Sequence, residues 1–206
     1  MKHLSINTIK TWERFYRANF INCLSGFKSA NLIGTVNKEG QPNLAVFSSV
    51  VHLGSDPALI GFINRPLTAA PHTIYNIEAT GVYTINHINT SFVEKAHQTS
   101  AKYPVEVNEF EAVGLTEQFI DNVLAPFVLE SYIKYALELV EIVTIKHNNT
   151  FLVIGKITDV IVPEGLITSD GFINIDEANS MACLGLDTYY TTTKAARYGY
   201  AKVPKH

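Results

Sequence analysis

The chain has 206 residues and a formal net charge of −3; 47% of its residues are hydrophobic and 17% are charged. This composition suits a full hydrophobic core and excludes long disorder, and the sequence has no basic run of the kind that binds nucleic acid. No stretch approaches the roughly 20 consecutive apolar residues of a membrane-spanning helix. We therefore expect one domain over residues 1–206, in the cytoplasm, with no membrane or nucleic-acid partner.

An amphipathic helix is predicted near the start of the chain, from about Lys10 to Asn19. Its apolar stripe consists of Ile9, Trp12, Phe15, Tyr16 and Phe20. Such a stripe can be a packing face or an aromatic wall facing a ligand, and ordinary amphipathicity favours packing.

A β-hairpin is predicted next. The run Leu32–Val36 is a strand, and Asn37–Gly40 is a tight turn in which glycine can take positive φ. The partner strand starts at Leu44 and is interrupted by two hydroxyl side chains, Ser48 and Ser49. A further strand is expected over Leu59–Ile63.

The segment after the predicted strand Leu59–Ile63 contains residue types that suit an anion-binding site. Asn64 and Arg65 end the strand, a loop with Thr68 follows, and a helix is predicted from about His72, with Thr73 in its first turn. A helix N-terminus has unpaired N–H groups and a partial positive charge, and a guanidinium group fits phosphate oxygens. The strand with paired serines can seat a flat heterocycle while the loop and helix hold a phosphate.

The second half of the chain is less regular. A helix over Phe92–Thr99 and a polar loop over Ser100–Asn108 are predicted, and Glu109 and Glu111 have the spacing of one strand face, which suggests a solvated edge. The segment Ser131–Val143 fits helical and strand periodicity alike; the Asn148–Asn149 turn and the β-rich run after it favour a strand pair.

The cysteine and histidine patterns are not those of a metal or disulfide framework. Cys23 and Cys183 are far apart with no CxxC spacing, and we expect both to be buried or half-buried free thiols. The seven histidines show no HExxH or comparable ligand spacing, so no metal site is expected. A Gly-x-Gly-x-x-Gly dinucleotide motif is also absent from the sequence.

Several segments, in this order and spacing, carry a resemblance to a known family: NLIGTVNKEGQPNLAVFSSVV, DPALIGFINR, HTIYNI, the strand Tyr83–Asn86, and more weakly TSAKYPVEVNEFEAVGL, Ala125–Pro126 and NNTFLVIGKI. The chain resembles the flavin reductase-like, FMN-binding split-barrel family, in particular its flavoredoxin-type branch. The likeness covers roughly Gly26 to Tyr189. It differs at His72, where the resemblance implies an acidic residue before the helix threonine.

The resemblance implies a mainly β fold, a split β-barrel with flanking α-helices, and a site for FMN. The implied cofactor-binding residues are Phe47, Ser48, Ser49 and Val50 at the ring, Asn64, Arg65, Thr68 and Thr73 at the ribityl phosphate, and Lys102 on the open side of the ring. From the sequence alone, a solvated lysine is the favoured interpretation of Lys102, because most lysines are exposed.

The implied activity is an NAD(P)H-dependent flavin oxidoreductase, in which NADH or NADPH is the co-substrate and hydride passes from nicotinamide to flavin N5. Because the ring does the redox work, no catalytic residue of the protein is required. A homodimer and a small-molecule electron acceptor or redox partner protein are also implied. Two alternatives stay open: an FMN-carrying electron-transfer or flavin-storage protein with no nicotinamide site, and a barrel that binds another planar ligand, such as haem, or none.

Overall fold

The structure is a computed structural model that describes residues 1–203. Its helices are α1 Ile6–Lys10, α2 Arg14–Cys23, α3 His72–Thr80, α4 Val93–Gln98 and α5 Glu109–Val113. Its strands are β1 Lys28–Ser29, β2 Asn31–Val36, β3 Pro42–Phe47, β4 Val50–Ser55, β5 Ala58–Asn64, β6 Val82–His87, β7 Glu117–Ile120, β8 Val123–Val128, β9 Lys134–Ile145, β10 Thr150–Ile161, β11 Met181–Leu184 and β12 Thr188–Thr191. The fold is mainly β with a few helices, as predicted.

A seven-stranded antiparallel sheet has the order β3-β2-β6-β9-β10-β5-β4. Its two edge strands, β3 and β4, are consecutive in the chain and are joined only by Ser48 and Ser49. A connection this short cannot span a flat sheet of seven strands, which is roughly 28 Å wide at about 4.7 Å per strand. The sheet must therefore curl until its two edges meet.

Contacts across the two ends of the sheet show this closure. The rings of Phe47 on β3 and Phe62 on β5 are 5.0 Å apart between centroids and meet edge to face. The backbone N–H of Ile63 donates to the carbonyl of Ser49 at 3.0 Å, which extends the β4–β5 pairing as far as the two serines. The sheet is thus a barrel that is split where the chain passes through the two serines.

Two cores lie on opposite faces of the hairpin β2–β3. Ile33 belongs to the barrel interior, where it packs with Phe62, Tyr83 and Val153. Leu32 points the other way, into a second core formed by helices α4 and α5 and by Leu44, Phe92 and Phe110. Alternate residues of one strand face opposite sides, so a strand covered on both faces can be apolar at consecutive positions. This explains why the neighbouring residues Leu32 and Ile33 are both apolar and fully buried.

The predicted N-terminal helix is two helices. α1 ends at Lys10, and α2 begins at Arg14 because the carboxylate of Glu13 accepts hydrogen bonds from the N–H groups of Phe15 and Tyr16, at 2.7 and 3.0 Å. The apolar stripe packs only in part, since the side chains of Phe15 and Tyr16 are 70% and 64% exposed. Of α2, only Asn22 reaches the cleft described below, so the stripe is not a ligand-facing wall within one chain.

The segment after Asn108 is a short helix, so the prediction of a strand at Glu109 and Glu111 is wrong, although Glu111 is exposed as predicted. The side chain of Asn108 caps α5 by accepting from the N–H of Phe110, and Gly114 ends it at φ +69°. Glu109 is only 6% exposed. The signal for this helix was present as an N-cap asparagine and a C-terminal glycine.

The long hairpin β9–β10 confirms the strand interpretation of the ambiguous segment, with Lys134 to Ile145 paired against Thr150 to Ile161. A separate three-stranded sheet has the order β1-β11-β12. Within it Cys183 is buried, but Cys23 at the end of α2 is exposed, so the expectation for that second thiol is wrong. Among residues 1–203, no helix has both the length and the apolar character needed to cross a membrane.

Gly34 on β2 provides a test of the barrel packing. A Cβ at this position would overlap the carbonyl oxygen of Pro126 and crowd the hydroxyl of Thr84, and neither partner is the end of a flexible chain. We expect Gly34→Ala to lower the free energy of unfolding by about 1–3 kcal/mol, as overpacking does. Gly165→Ala is the control, because nothing lies within 4 Å of its Cβ position. Equal urea midpoints for the two variants would contradict this packing.

Candidate functional site

A cleft of about 570 Å³ opens beside the split in the barrel. Its floor is the end of β3 with Ser48 and Ser49; its walls are the loop from Arg65 to Pro71, the start of α3, and the loop from Thr99 to Tyr103. A volume of this size is typical of a site for a cofactor or substrate. The same fold feature that splits the barrel therefore also opens this cleft.

The ring side of the predicted site is largely assembled. Phe47, Ser48 and Ser49 line the cleft. Val50 does not; it packs against the barrel core. We predict that backbone groups from Phe47 to Val50 contact the ring, and for Val50 this stays a prediction.

Val46 lines the cleft and was not predicted. Its importance follows from the backbone of β3, an edge strand that pairs only with β2. The N–H of Leu44 donates to the Glu109 carboxylate and so points away from β2. Alternate residues of a strand direct their backbone groups to the same side, so the N–H and C=O of Val46 also point away from β2. This open edge offers backbone hydrogen bonds along the floor of the cleft.

The anion side of the predicted site is also assembled. Arg65, Thr68 and Thr73 line the same cleft. Pro71 precedes α3 and no side chain caps its first turn, which also contains no acidic residue. Arg65 and Lys102 both line the cleft, and neither forms an ion pair with any residue in the described part of the chain. The end of the cleft at Arg65 and the start of α3 is therefore positively charged, and its hydrogen-bond donors are available to a ligand.

Asn64 does not line the cleft, but it holds the loop that forms the anion side. It is fully buried, and its side-chain amide donates to the carbonyls of Arg65 and Ala70, at 2.8 and 3.0 Å. These two bonds fix both ends of the loop that carries Arg65 and Thr68. The prediction of a direct cofactor contact therefore becomes a role in shaping the loop.

The main residue that sequence reasoning missed is Glu109. Its carboxylate lies at the cleft, 6% exposed, and accepts the N–H of Leu44 at 3.1 Å. Burial raises the pKa of this carboxyl group, while the Leu44 N–H and the nearby His72 act in the opposite direction. Sequence spacing placed Glu109 on a solvated edge, and only the packing of α5 against β3 brings it to the cleft.

The last wall comes from the C-terminal segment. Cys183 on β11 and Tyr189 on β12 are paired across the strands and both line the cleft. The hydroxyl of Tyr189 is 3.1 Å from Nδ1 of His97 on α4, and burial raises the pKa of this tyrosine to about 12. The place of this segment against the cleft depends on the three-stranded sheet.

The chemistry open to this arrangement is that of a binding site for a flat, anionic molecule. Within residues 1–203, no group of three or more His, Cys, Asp or Glu side chains is arranged to hold a metal ion. The floor offers backbone groups and serine hydroxyls, and one end offers a guanidinium and the start of a helix. Flavin mononucleotide has this combination of a planar ring and a phosphate.

Comparison with solved structures shows the same fold in several proteins. A protein from Shewanella frigidimarina NCIMB 400, provisionally described as a flavin reductase with split barrel domain, is 50% identical, with a TM-score of 0.94 over 98% of this chain and 100% of that one. Component B of nitrilotriacetate monooxygenase from Bacillus cereus is 20% identical, with a TM-score of 0.83 over 96% of this chain and 98% of that one. Flavoredoxin of Desulfovibrio vulgaris (Miyazaki F) is 22% identical, with a TM-score of 0.73 over 85% of this chain and 92% of that one.

The family comparison covers most of the chain, because residues 24–174 match the flavin reductase like domain. This range contains the split, the loop of Arg65, helix α3 and Glu109. The barrel, the cleft at its split and this match lead to one conclusion: the chain belongs to the flavin reductase like family, with a split-barrel fold and a flavin-related redox function.

Proposed function

We propose that the cleft binds FMN and that the protein is an NAD(P)H-dependent flavin oxidoreductase. The observation that carries the proposal is the pairing, in one cleft, of an open strand edge at Val46 with an unpaired Arg65 at an uncapped helix start. The first suits the ring of a flavin and the second suits its phosphate.

The chain's own residues fit this cofactor at each part. Ser48 and Ser49 present hydroxyl groups where the ring would lie, and Arg65, Thr68 and Thr73 would hold the phosphate. FMN, when bound, supplies the capacity to accept and donate hydride. Lys102 is exposed at the rim, where it meets either the open face of the ring or an incoming anionic donor.

A homodimer is part of this proposal, supported by an apolar patch on the outer face of the sheet. The side chains of Val51, Leu53 and Leu152 converge within 3.4 Å of the Cβ position of Gly61, and Val51 and Leu53 are 46% and 43% exposed. The patch continues to the rim of the cleft, because Ile63 pairs with Leu152 and also lines the cleft. A second copy that covers this patch would close the cleft on that side.

The activity is tested by adding NADH or NADPH to the protein loaded with FMN in the absence of oxygen. We expect the flavin absorbance near 450 nm to bleach with at least one donor, because a reductase must accept hydride from the nicotinamide. FMN with the donor and no protein is the control. A protein that binds FMN but bleaches with neither donor would be the electron-transfer or storage protein of the alternative.

The phosphate assignment is tested with Arg65→Ala. We expect the variant to bind FMN about 10- to 150-fold more weakly, the effect of losing a charge-assisted hydrogen bond. Riboflavin, which lacks the phosphate, should bind both proteins equally, and Arg14→Ala on α2 is the matched surface control. The readout is flavin fluorescence on titration, and an unchanged FMN affinity would refute the assignment.

The dimer is tested by light scattering after size exclusion. The expected mass is twice that of the 22.8 kDa chain. Leu53→Glu places a charge in the apolar patch and should give monomers, because burying an unpaired charge is costly. Leu124→Glu, at an exposed position of the separate β7–β8 hairpin, should leave the mass unchanged. Monomeric wild-type protein would contradict this part of the proposal.

A further inference from the structure

We propose that Glu109 is the acceptor for the hydroxyl groups of the ribityl chain, and so a specificity residue for the flavin tail. This inference rests on the proposed function, because it concerns how the same cleft binds the ribityl chain, the part of FMN between the ring and the phosphate. It starts from the one carboxylate among the described residues that line the cleft.

The position of Glu109 along β3 places it beside the tail. The predicted ring seat begins at Phe47, near one end of the cleft floor, whereas Asn43, at the other end, contacts Thr73 of the proposed phosphate site with Nδ2 to Oγ1 at 3.5 Å. Glu109 is bonded to Leu44, between these two ends. Leu44 and Phe47 are separated by about 10 Å along the strand, at roughly 3.3 Å per residue.

The state of the Glu109 side chain leaves capacity for a ligand. Its one hydrogen bond to another residue of the described chain is the 3.1 Å bond from the Leu44 N–H. An ionised carboxylate has two oxygens and about four lone-pair sites, so this bond uses only part of its acceptor capacity. Buried polar groups are rarely left without partners, and the side chain is 6% exposed at the cleft.

The charge of Glu109 suits hydroxyl groups and opposes a phosphate at the same point. Hydroxyl groups donate to a carboxylate in charge-assisted bonds, whereas two anions side by side repel. Arg65 and the first turn of α3 offer the phosphate a positive site in the same cleft. Glu109 would thus bind the tail through its hydroxyls and leave the phosphate to the positive end.

The test compares three flavins that differ only in the tail: FMN, riboflavin, and lumiflavin, which has a methyl group in place of the ribityl chain. The titrations are followed by flavin fluorescence. Glu109→Ala should weaken the binding of FMN and of riboflavin by a similar factor, about tenfold or more, and leave the affinity for lumiflavin unchanged. Glu109→Gln, which keeps an acceptor for the Leu44 N–H, should show the same pattern with a smaller loss.

Asn108→Ala is the control that separates a structural effect on β3 from the loss of the carboxylate itself. This variant removes the cap of α5 and loosens the same helix, but keeps the carboxylate, and Asn108 does not line the cleft. We expect it to lower the melting temperature without the tail-dependent pattern.

Four outcomes would overturn the inference. They are unchanged FMN and riboflavin affinity in Glu109→Ala, an equal loss for all three flavins, the same pattern in Asn108→Ala, or a Glu109→Gln variant that binds FMN more tightly with riboflavin unchanged. The last result would mean that the carboxylate only repels the phosphate. If wild-type protein bound none of the three flavins, the proposed function would fail first, which is a distinct result.

Discussion

The structure depends on the way in which the two edges of the seven-stranded sheet meet. Strands β3 and β4 lie at opposite edges but are separated in the chain only by Ser48 and Ser49. The sheet has to curl to satisfy this covalent connection, and the contact of Phe47 with Phe62 seals the closure from inside. The hydrogen-bond ladder is interrupted at the split, because the edge of β3 pairs only with β2. Backbone groups that a closed barrel would pair are therefore left for other partners.

The cleft uses those free groups and surrounds them with side chains from distant parts of the chain. Asn64 holds the Arg65 loop against one side, and the carboxylate of Glu109 takes the Leu44 N–H on another. Burying a carboxylate is unfavourable, and the pKa of Glu109 is raised accordingly. A buried carboxylate with spare acceptor capacity next to a positive pocket suits a ligand that has several hydroxyl groups and a phosphate.

Much of this could be predicted from particular residues. The hairpin at Asn37–Gly40, the strand ending at Asn64 and the helix starting at His72 all follow local rules of turn, strand and capping chemistry, and each is in the structure. The residues from Phe47 to Ser49 and from Arg65 to Thr73 lie close in sequence, so their shared cleft could be inferred from their order. Glu13, which starts α2, was overlooked because the continuous apolar stripe resembled that of a single helix.

The sequence by itself determined the main strands and helices and the positive end of the cleft, because these depend on residue types and spacings within short segments; the class of fold followed from the resemblance to a known family. Only the tertiary structure decided which residues complete the cleft. Glu109, Cys183 and Tyr189 reach it from segments far along the chain, and Val50 and Asn64 turn away from it. The physical reason is that a strand alternates its side chains between two faces and that sheet curvature sets which distant segments pack together; local periodicity contains neither fact.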